Sequence, residues 1–443
     1  MRINVLNSDR AMFYFAVLIC TACCSRSELG SKGKLHLVDI ESHINSFEFI
    51  NLSLITDRIE YIPLETDSIS LINGINKLIN TNDRFIIHDG LSCKAFSKSG
   101  EYLCKYGNQG KGPGQFLMIN TISYDQERKM VYIASPPQLL MEYSKHGDFI
   151  RYIEIPPEMI DSVEENVNYV TFGNNTFCGV TSKDHNKLFL FNDRKEVLAT
   201  YPDYYDDPSL KGNILAYLGA NSNVFVLGKN ILYKDGLCDT VFYLTSDLHR
   251  EPVYYFHFGN YSHLKEYLKS LSNYQNMEEL KGLLDHCQIT DLIEINDLLL
   301  FTCSFGNRLP KSEFIAYDVN QYSGGPFNSS FLGYINPIHG MYHKKSSKLV
   351  FLKKYKGYST ENGGFSGFVN DIDGGVPFWP IAQPNGQQLV GVIDAYELKA
   401  YVASEVFIKA NPKHPERKKE LKQLAENLDN NDNPVLMIVY LKK

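Results

Sequence analysis

The sequence predicts an all-β fold, a six-bladed β-propeller built from four-stranded antiparallel blades. The aromatic residues are mainly Tyr (29) and Phe (26) beside a single Trp, and such side chains favour the pleated, half-buried surface of a strand. A hairpin-like segment recurs about every 47 residues, a period typical of propeller blades. Strand-like segments stand near both ends of the chain, where they can close a ring.

Composition and charge exclude several classes of protein. Hydrophobic residues make up 44% and charged residues 21% of the 443 residues, an ordinary globular profile. The 44 basic and 51 acidic residues give a net charge of -7, and no long basic run occurs. A nucleic-acid partner is therefore not expected.

The first residues predict export. Residues 11–22 form an apolar run that is too short to span a bilayer and ends in small residues, the layout of a secretory signal. Cys23 follows directly, as the lipidated cysteine of a bacterial lipoprotein does, and Cys24 stays an alternative. A plain cleaved signal or an uncleaved anchor also stays open. We expect a signal peptide over 1–22, a tether and lead-in over 23–54, and the propeller over 55–443.

The repeat is clearest in two hairpin segments, residues 96–103 and 143–150, which match position for position. A weaker third copy spans 191–198. Each copy has an aromatic strand end, a polar turn, an acidic residue and an apolar strand start, which together indicate a hairpin. An apolar strand precedes each copy, so the unit is a blade of several antiparallel strands.

The second half of the chain continues the pattern with insertions. Strand-like segments at 241–247 and 314–318 extend it, and the helical spacing of apolar residues in 262–286 predicts an inserted helical segment between them. A sixth unit would use 348–353 and 388–393.

The ends of the chain are expected to share one blade. Residues 59–64 and 434–441 both resemble strands, and pairing them would close the ring. A charged helix is predicted near 415–430, covering the surface of a blade.

Three segments resemble a known family. Residues 107–116 (GNQGKGPGQF) are similar to a glycine-rich segment of NHL-type propellers and of the six-bladed β-propeller lipoproteins of Bacteroidota, which are NHL/TolB-like. Residues 62–66 and 370–380 are similar to segments of the lipoproteins. The resemblance implies the fold and a place in the cell envelope. It implies little about function, because the fold is shared by binding proteins, lactonases and lyases.

Six cysteines follow the export segment, and an even number in an exported protein permits disulfides. Their neighbours are apolar and strand-like, so we expect small buried hydrophobic side chains. These residues are Cys93, Cys104, Cys178, Cys238, Cys287 and Cys303.

The run 370–375 (NDIDGG) is the candidate metal site. Alternating oxygen ligands followed by Gly begin many calcium loops, which makes Asp371 and Asp373 candidate calcium ligands. The third acidic position and the bidentate Glu are missing. A glycine turn capped by Asn and Asp side chains is the alternative.

The glycine- and aromatic-rich segment 356–384 surrounds this run and contains the only Trp. A long loop of this composition is often functional. We expect a lid that contacts a sugar or peptide through Phe365, Phe368, Asn370 and Trp379.

No linear motif of a serine hydrolase, zinc protease or dinucleotide enzyme occurs in the sequence. We therefore predict a binding or interaction module on a cell-envelope lipoprotein of the outer membrane, facing the periplasm or the cell surface. Its partners would be the membrane, through the lipid anchor, and a small ligand, glycan or envelope protein. A calcium-dependent propeller hydrolase or lyase acting on a lactone or saccharide is the alternative, and a purely structural scaffold is a third.

Overall fold

The computed structural model describes residues 35–135, 139–159, 168–173, 175–180, 186–202, 223–227, 230–234, 238–245, 247–259, 288–304, 337–355 and 365–442. In these ranges no helix is both long and apolar enough to cross a membrane. The predicted helical insertion at 262–286, the strand at 314–318 and the export segment lie outside the described residues.

The N-terminal strands belong to the propeller rather than to a tether. They are β1 (His36–Asp39), β2 (Phe47–Glu48) and β3 (Thr56–Pro63), with short 3-10 helices at Glu41–His43 and Leu52–Leu54. β1 and β2 add in parallel to the outer strands of the fourth and fifth blades. Residues 36–443 form one compact unit.

The first three blades are four-stranded antiparallel sheets in chain order. The first blade contains β4 (Lys77–Asn80), β5 (Arg84–His88), β6 (Cys93–Ser97) and β7 (Tyr102–Lys105). After the short β8 (Asn108–Gln109) and β9 (Gln115–Phe116), the second blade contains β10 (Thr121–Asp125), β11 (Met130–Ser135), β12 (Leu139–Ser144) and β13 (Phe149–Ile153). After a 3-10 helix at Pro157–Met159, the third blade contains β14 (Asn168–Gly173), β15 (Thr176–Val180), β16 (Asn186–Asn192) and β17 (Val197–Pro202).

The fourth and fifth blades also contain four consecutive antiparallel strands, to which β1 and β2 add. These are β18 (Asn223–Leu227), β19 (Asn230–Lys234), β20 (Thr240–Leu244) and β21 (Arg250–His257), followed by β22 (Gln288–Ile295), β23 (Leu298–Ser304), β24 (Pro337–His343) and β25 (Lys348–Leu352). The assignment of 348–353 to the sixth blade was therefore wrong. β25 pairs with β24 of the fifth blade.

The sixth blade joins the two ends of the chain. After the short pair β26 (Lys354–Tyr355) and β27 (Phe365–Ser366), its strands are β28 (Gln388–Ile393), β29 (Val435–Leu441) and the N-terminal β3. β29 pairs with β3 from Val435↔Pro63 to Leu441↔Thr56, which confirms the predicted closure.

Three helices lie between β28 and β29: α1 (Ala395–Ala403), α2 (Glu405–Lys409) and α3 (Pro415–Asn427). The helix predicted near 415–430 is α3, which begins at a proline in its first turn. α1 and α2 are not among the elements predicted from the sequence. Leu421 and Ala425 on α3 are buried against the sixth blade.

The repeated hairpins have one shared backbone feature. Gly100, Gly147, Lys195 and Leu248 occupy the same turn position in the first four blades, with φ of 93°, 95°, 66° and 67°. Positive φ completes a tight hairpin turn. The three copies proposed from the sequence, and the fourth near 241–247, are therefore true structural repeats.

Hydrophobic clusters between neighbouring blades form the core. Of the six cysteines, Cys93, Cys178, Cys238 and Cys303 are buried and Cys104 is partly buried. This agrees with the expected hydrophobic role for these five. Cys287 lies outside the described residues.

Candidate functional site: the inner strands and the 370–375 turn

The turn at 370–375 is a closed hydrogen-bonded network. Asn370 is 4% exposed, and its Oδ1 accepts the backbone N–H groups of Ile372 (3.2 Å) and Asp373 (3.3 Å). Its Nδ2 donates to the Tyr61 hydroxyl on β3 (3.0 Å). Asn370 therefore caps the turn from inside, as the Asx alternative expects.

The two aspartates of this turn have different environments. Asp371 accepts the backbone N–H of Ser53 (2.9 Å) and its hydroxyl (2.6 Å), and pairs with Lys413 (3.3 Å). These hydrogen bonds hold the pKa of Asp371 below its usual value despite partial burial. Asp373 is 1% exposed, and burial raises its pKa to about 6 although Gly375 and Tyr61 donate to its Oδ1.

A cavity of about 180 Å³ lies beside the turn. Asn370, Asp371 and Gly374 line it from the turn, and Tyr401 and Asn411 from the helical segment. Across the described ranges, no group of three or more His, Cys, Asp or Glu side chains is arranged to hold a metal ion. Calcium binding by Asp371 and Asp373 stays a prediction.

The predicted aromatic lid is packed inside the molecule. Phe368 is 0% and Trp379 is 6% exposed, and both belong to the core cluster between the fifth and sixth blades. The Trp379 ring stacks on His339 of β24 with centroids 3.9 Å apart and planes 8° from parallel. Burial lowers the pKa of His339 to about 3, so the stacked imidazole is neutral.

Packing alone thus accounts for the positions of Phe368 and Trp379. Ligand contact by these two rings stays a prediction, and it would require their faces to be uncovered. The backbone of Phe365 lies in β27, while its side chain is outside what the structure describes.

A second polar site lies on the inner strands, which the sequence analysis did not identify. The first strand of each of the first five blades stands at one end of its sheet, and successive strands of this set contact one another. These strands are β4, β10, β14, β18 and β22. The segment before β28 completes the circle because it contacts the blades on both sides. The Gln383 side chain donates to the Leu292 carbonyl of β22 in the fifth blade (2.6 Å). Ala382 packs in the cluster that includes Leu78 of β4 in the first blade. These six segments surround the propeller axis.

One residue from each of the first five blades occupies the same register position on the inner strand. Each lies four residues before the residue that closes the inner hairpin, or five in the third blade, where a bulge adds a residue. We call this set the channel ring. Its members are Lys77, Thr121, Asn168, Asn223 and Asp291.

All five ring positions are polar. Lys77 Nζ donates to Thr121 Oγ1 across the boundary of the first two blades (2.8 Å). Lys77 and Asp291 lie on the two blades that flank the sixth, and each charge stabilises the other. No direct ion pair joins them or involves either with another described residue.

Both charges are held in a partly desolvated environment. Burial lowers the pKa of Lys77 to about 8, and the charge of Asp291 offsets part of this shift. Burial raises the pKa of Asp291 to about 6, and the Leu292 backbone N–H (2.9 Å) and then the charge of Lys77 offset part of that shift. Gln383 Oε1 is also buried without a hydrogen-bond partner among the described residues. The inner strands therefore offer a cation, an anion and an unsatisfied acceptor to a bound molecule.

Aligning the inner hairpins from their closing turns is the signal that could have located the ring. The separation between successive members varies from 44 to 68 residues, so the linear sequence conceals it. The sequence-predicted residues lie instead in the 370–375 turn and in the core that supports it.

The fold and this polar ring together define a six-bladed β-propeller with a mixed-charge lining. The chain belongs to the family described as Domain of unknown function (DUF4934), whose model matches residues 35–440. No curated protein matches the chain.

Several solved structures are similar to the chain at low sequence identity. A protein of Bacteroides fragilis, described as a proposed exported protein, is 14% identical with a TM-score of 0.60, covering 93% of this chain and 100% of its own. A member of the DUF4221 family from Bacteroides vulgatus is 10% identical with a TM-score of 0.48, covering 90% and 98%. Virginiamycin B lyase from Staphylococcus aureus is 9% identical with a TM-score of 0.33, covering 53% and 64%.

Proposed function

We propose that this protein is a cell-envelope lipoprotein whose propeller binds a small polar ligand at the channel ring. The observation that carries the proposal is the presence of Lys77 and Asp291 at one register position without direct ion pairs among the described residues. Charged groups in a desolvated site cost stability unless they are compensated. Groups of this kind are concentrated at functional sites, where a ligand supplies the compensation.

The proposed location in the cell envelope rests on the export segment and on the similar Bacteroides fragilis structure, which is described as an exported protein. Lipidation at Cys23 would tether the propeller to the envelope, in keeping with the resemblance to NHL/TolB-like lipoproteins. The outer membrane is the proposed location, with the propeller facing the periplasm or the cell surface. Metabolic labelling with an alkyne fatty acid tests this: Cys23→Ala should abolish the label, and Cys24→Ala should retain it. The reverse result would move the lipid to Cys24.

Binding itself can be tested without knowing the ligand. The probe is the small-molecule fraction of a cell-envelope extract, added to the purified protein and to the double variant Lys77→Met/Asp291→Asn. A ligand of the folded state must raise the melting temperature. We expect a rise for the native protein and none for the double variant. Equal responses would refute binding at the ring.

The alternative function is a calcium-dependent hydrolase or lyase acting on a lactone or saccharide at the 370–375 turn. What supports it is the cavity beside Asn370 and Asp371. Calcium bound there should raise the melting temperature, and EDTA should reverse the rise. Asp371→Asn should remove the response. A melting temperature that is the same in calcium and in EDTA would refute this alternative.

A further inference from the structure

The charges of the channel ring indicate which kind of ligand it would accept. Its two charged members have opposite signs and are contributed by the first and fifth blades. Ile381 lies on the segment of the sixth blade that stands between them, two residues before Gln383, and is 36% exposed. The backbone N–H of Ile381 is bonded to the Val390 carbonyl (2.8 Å), which fixes its position.

Charge complementarity excludes most ligand classes. A neutral ligand would displace water from Lys77 and Asp291 without replacing its hydrogen bonds, which costs free energy. A simple anion would gain from Lys77 but be repelled by Asp291, and a simple cation would meet the reverse. A ligand that carries both signs satisfies both groups at once.

The neighbouring groups agree with a ligand of this kind. Thr121 Oγ1 already accepts from Lys77 and can donate its own hydrogen to a carboxylate beside that ammonium. Gln383 Oε1, buried and unpartnered among the described residues, can accept from an ammonium or amide N–H. Ile381 can pack against an apolar group that lies between the two charges.

Building on the proposed binding function, we propose that the ligand is a zwitterion, a free α-amino acid or a short peptide with free termini. Its carboxylate would lie against Lys77 and Thr121, its ammonium against Asp291, and an apolar side chain against Ile381.

A matched ligand series tests the proposal by isothermal titration calorimetry with the purified protein. Leucine carries both charges, N-acetylleucine only the carboxylate, leucinamide only the ammonium, and 4-methylpentanamide neither. Leucyl-leucine supplies a zwitterion with a longer separation between its charges. We expect one of the two zwitterions to bind at least about tenfold more tightly than every single-charge compound.

Two variants assign each ligand charge to its partner. Lys77→Met should remove the advantage of leucine over leucinamide, because the carboxylate then has no cation to meet. Asp291→Asn should remove the advantage of leucine over N-acetylleucine. Lys98→Met is the matched control, since burial also lowers the pKa of Lys98 to about 8, and its ammonium lies over Phe85 and donates to Asn80 rather than to a ring residue. It should leave the order of the series unchanged.

Equal affinity across the series, or no binding by either zwitterion, would overturn the proposal. The envelope-extract experiment separates this outcome from failure of the proposed function. If the extract stabilises the native protein but not the double variant while both zwitterions fail, the ring binds a ligand of another class. If the extract also fails, ligand binding at the ring fails with it.

Discussion

Asp291→Asn should stabilise the propeller at neutral pH, although it removes a polar group from the proposed binding site. Burial raises the pKa of Asp291 from its usual 3.8 to about 6, so the ionised carboxylate is less favourable in the folded chain than in the unfolded one. At about 1.36 kcal/mol per pKa unit, the cost is at most about 3 kcal/mol. Asp291 is partly exposed and Lys77 loses its partner charge in the variant, which reduces the expected gain to about 1–2 kcal/mol.

The sign of the pH dependence follows from which state binds the proton more tightly. Between pH 4 and 6 the folded chain holds the Asp291 proton more strongly than the unfolded chain. The stability of the native protein should therefore fall in this range as pH rises, relative to the variant. The advantage of Asp291→Asn should be small at pH 4, grow through pH 5 and level off above pH 6.

Urea denaturation followed by circular dichroism at pH 4, 5, 6 and 7 measures the difference. Asp67→Asn is a control of opposite sign, because hydrogen bonds from the Ser70 backbone and hydroxyl and from the Ile69 backbone hold the pKa of Asp67 below its usual value. That variant should lose stability as pH rises. A difference for Asp291→Asn that is independent of pH, or a loss at pH 7 like that of Asp67→Asn, would refute the reasoning.

Two further predictions concern the blades. Gly74 and Gly100 have nearly the same φ (91° and 93°), but a Cβ on Gly100 would lie 2.1 Å from the Pro63 carbonyl oxygen, whereas Gly74 faces open space. Chemical denaturation should show Gly100→Ala to be less stable than Gly74→Ala by about 1–3 kcal/mol, and equal losses would contradict this. Glu142 is 0% exposed between two arginines, so Glu142→Ala should lower the free energy of unfolding by about 3 kcal/mol. Lys409→Ala, in an exposed ion pair, should change this free energy little. Similar losses in the two variants would show that burial of the ion pair is not decisive.

The features of the fold that the sequence predicts are the local ones and the closure of the ring. Hairpins such as 96–103 are visible because turn chemistry and alternation act over a few residues. Closure by β3 and β29 is predictable because exposed sheet edges are unfavourable. The parallel addition of β1 and β2 is not predictable from the sequence, because these strands are short and their partners are more than 200 residues away.

Site prediction from sequence encountered a different limit. The 370–375 turn stands out because Asn, Asp and Gly are consecutive, and its residues do line a cavity. Trp379 stands out by rarity, yet rarity does not distinguish a ligand-binding ring from one stacked on a neutral histidine in the core. The channel ring has neither signal, because its members share a register and not a motif.

Some buried charges of this propeller have direct ion pairs and others do not, and this contrast supports a ligand-binding role for the channel ring. Glu142 is fully buried between Arg128 (2.8 Å) and Arg151 (2.6 Å), so its charge is compensated by direct ion pairs within the second blade. Lys77 and Asp291 influence each other only at a distance, and among the described residues neither has a direct ion pair. Structural stability explains the first arrangement and opposes the second. The charges at the ring are therefore expected to meet a partner that is not part of the folded chain.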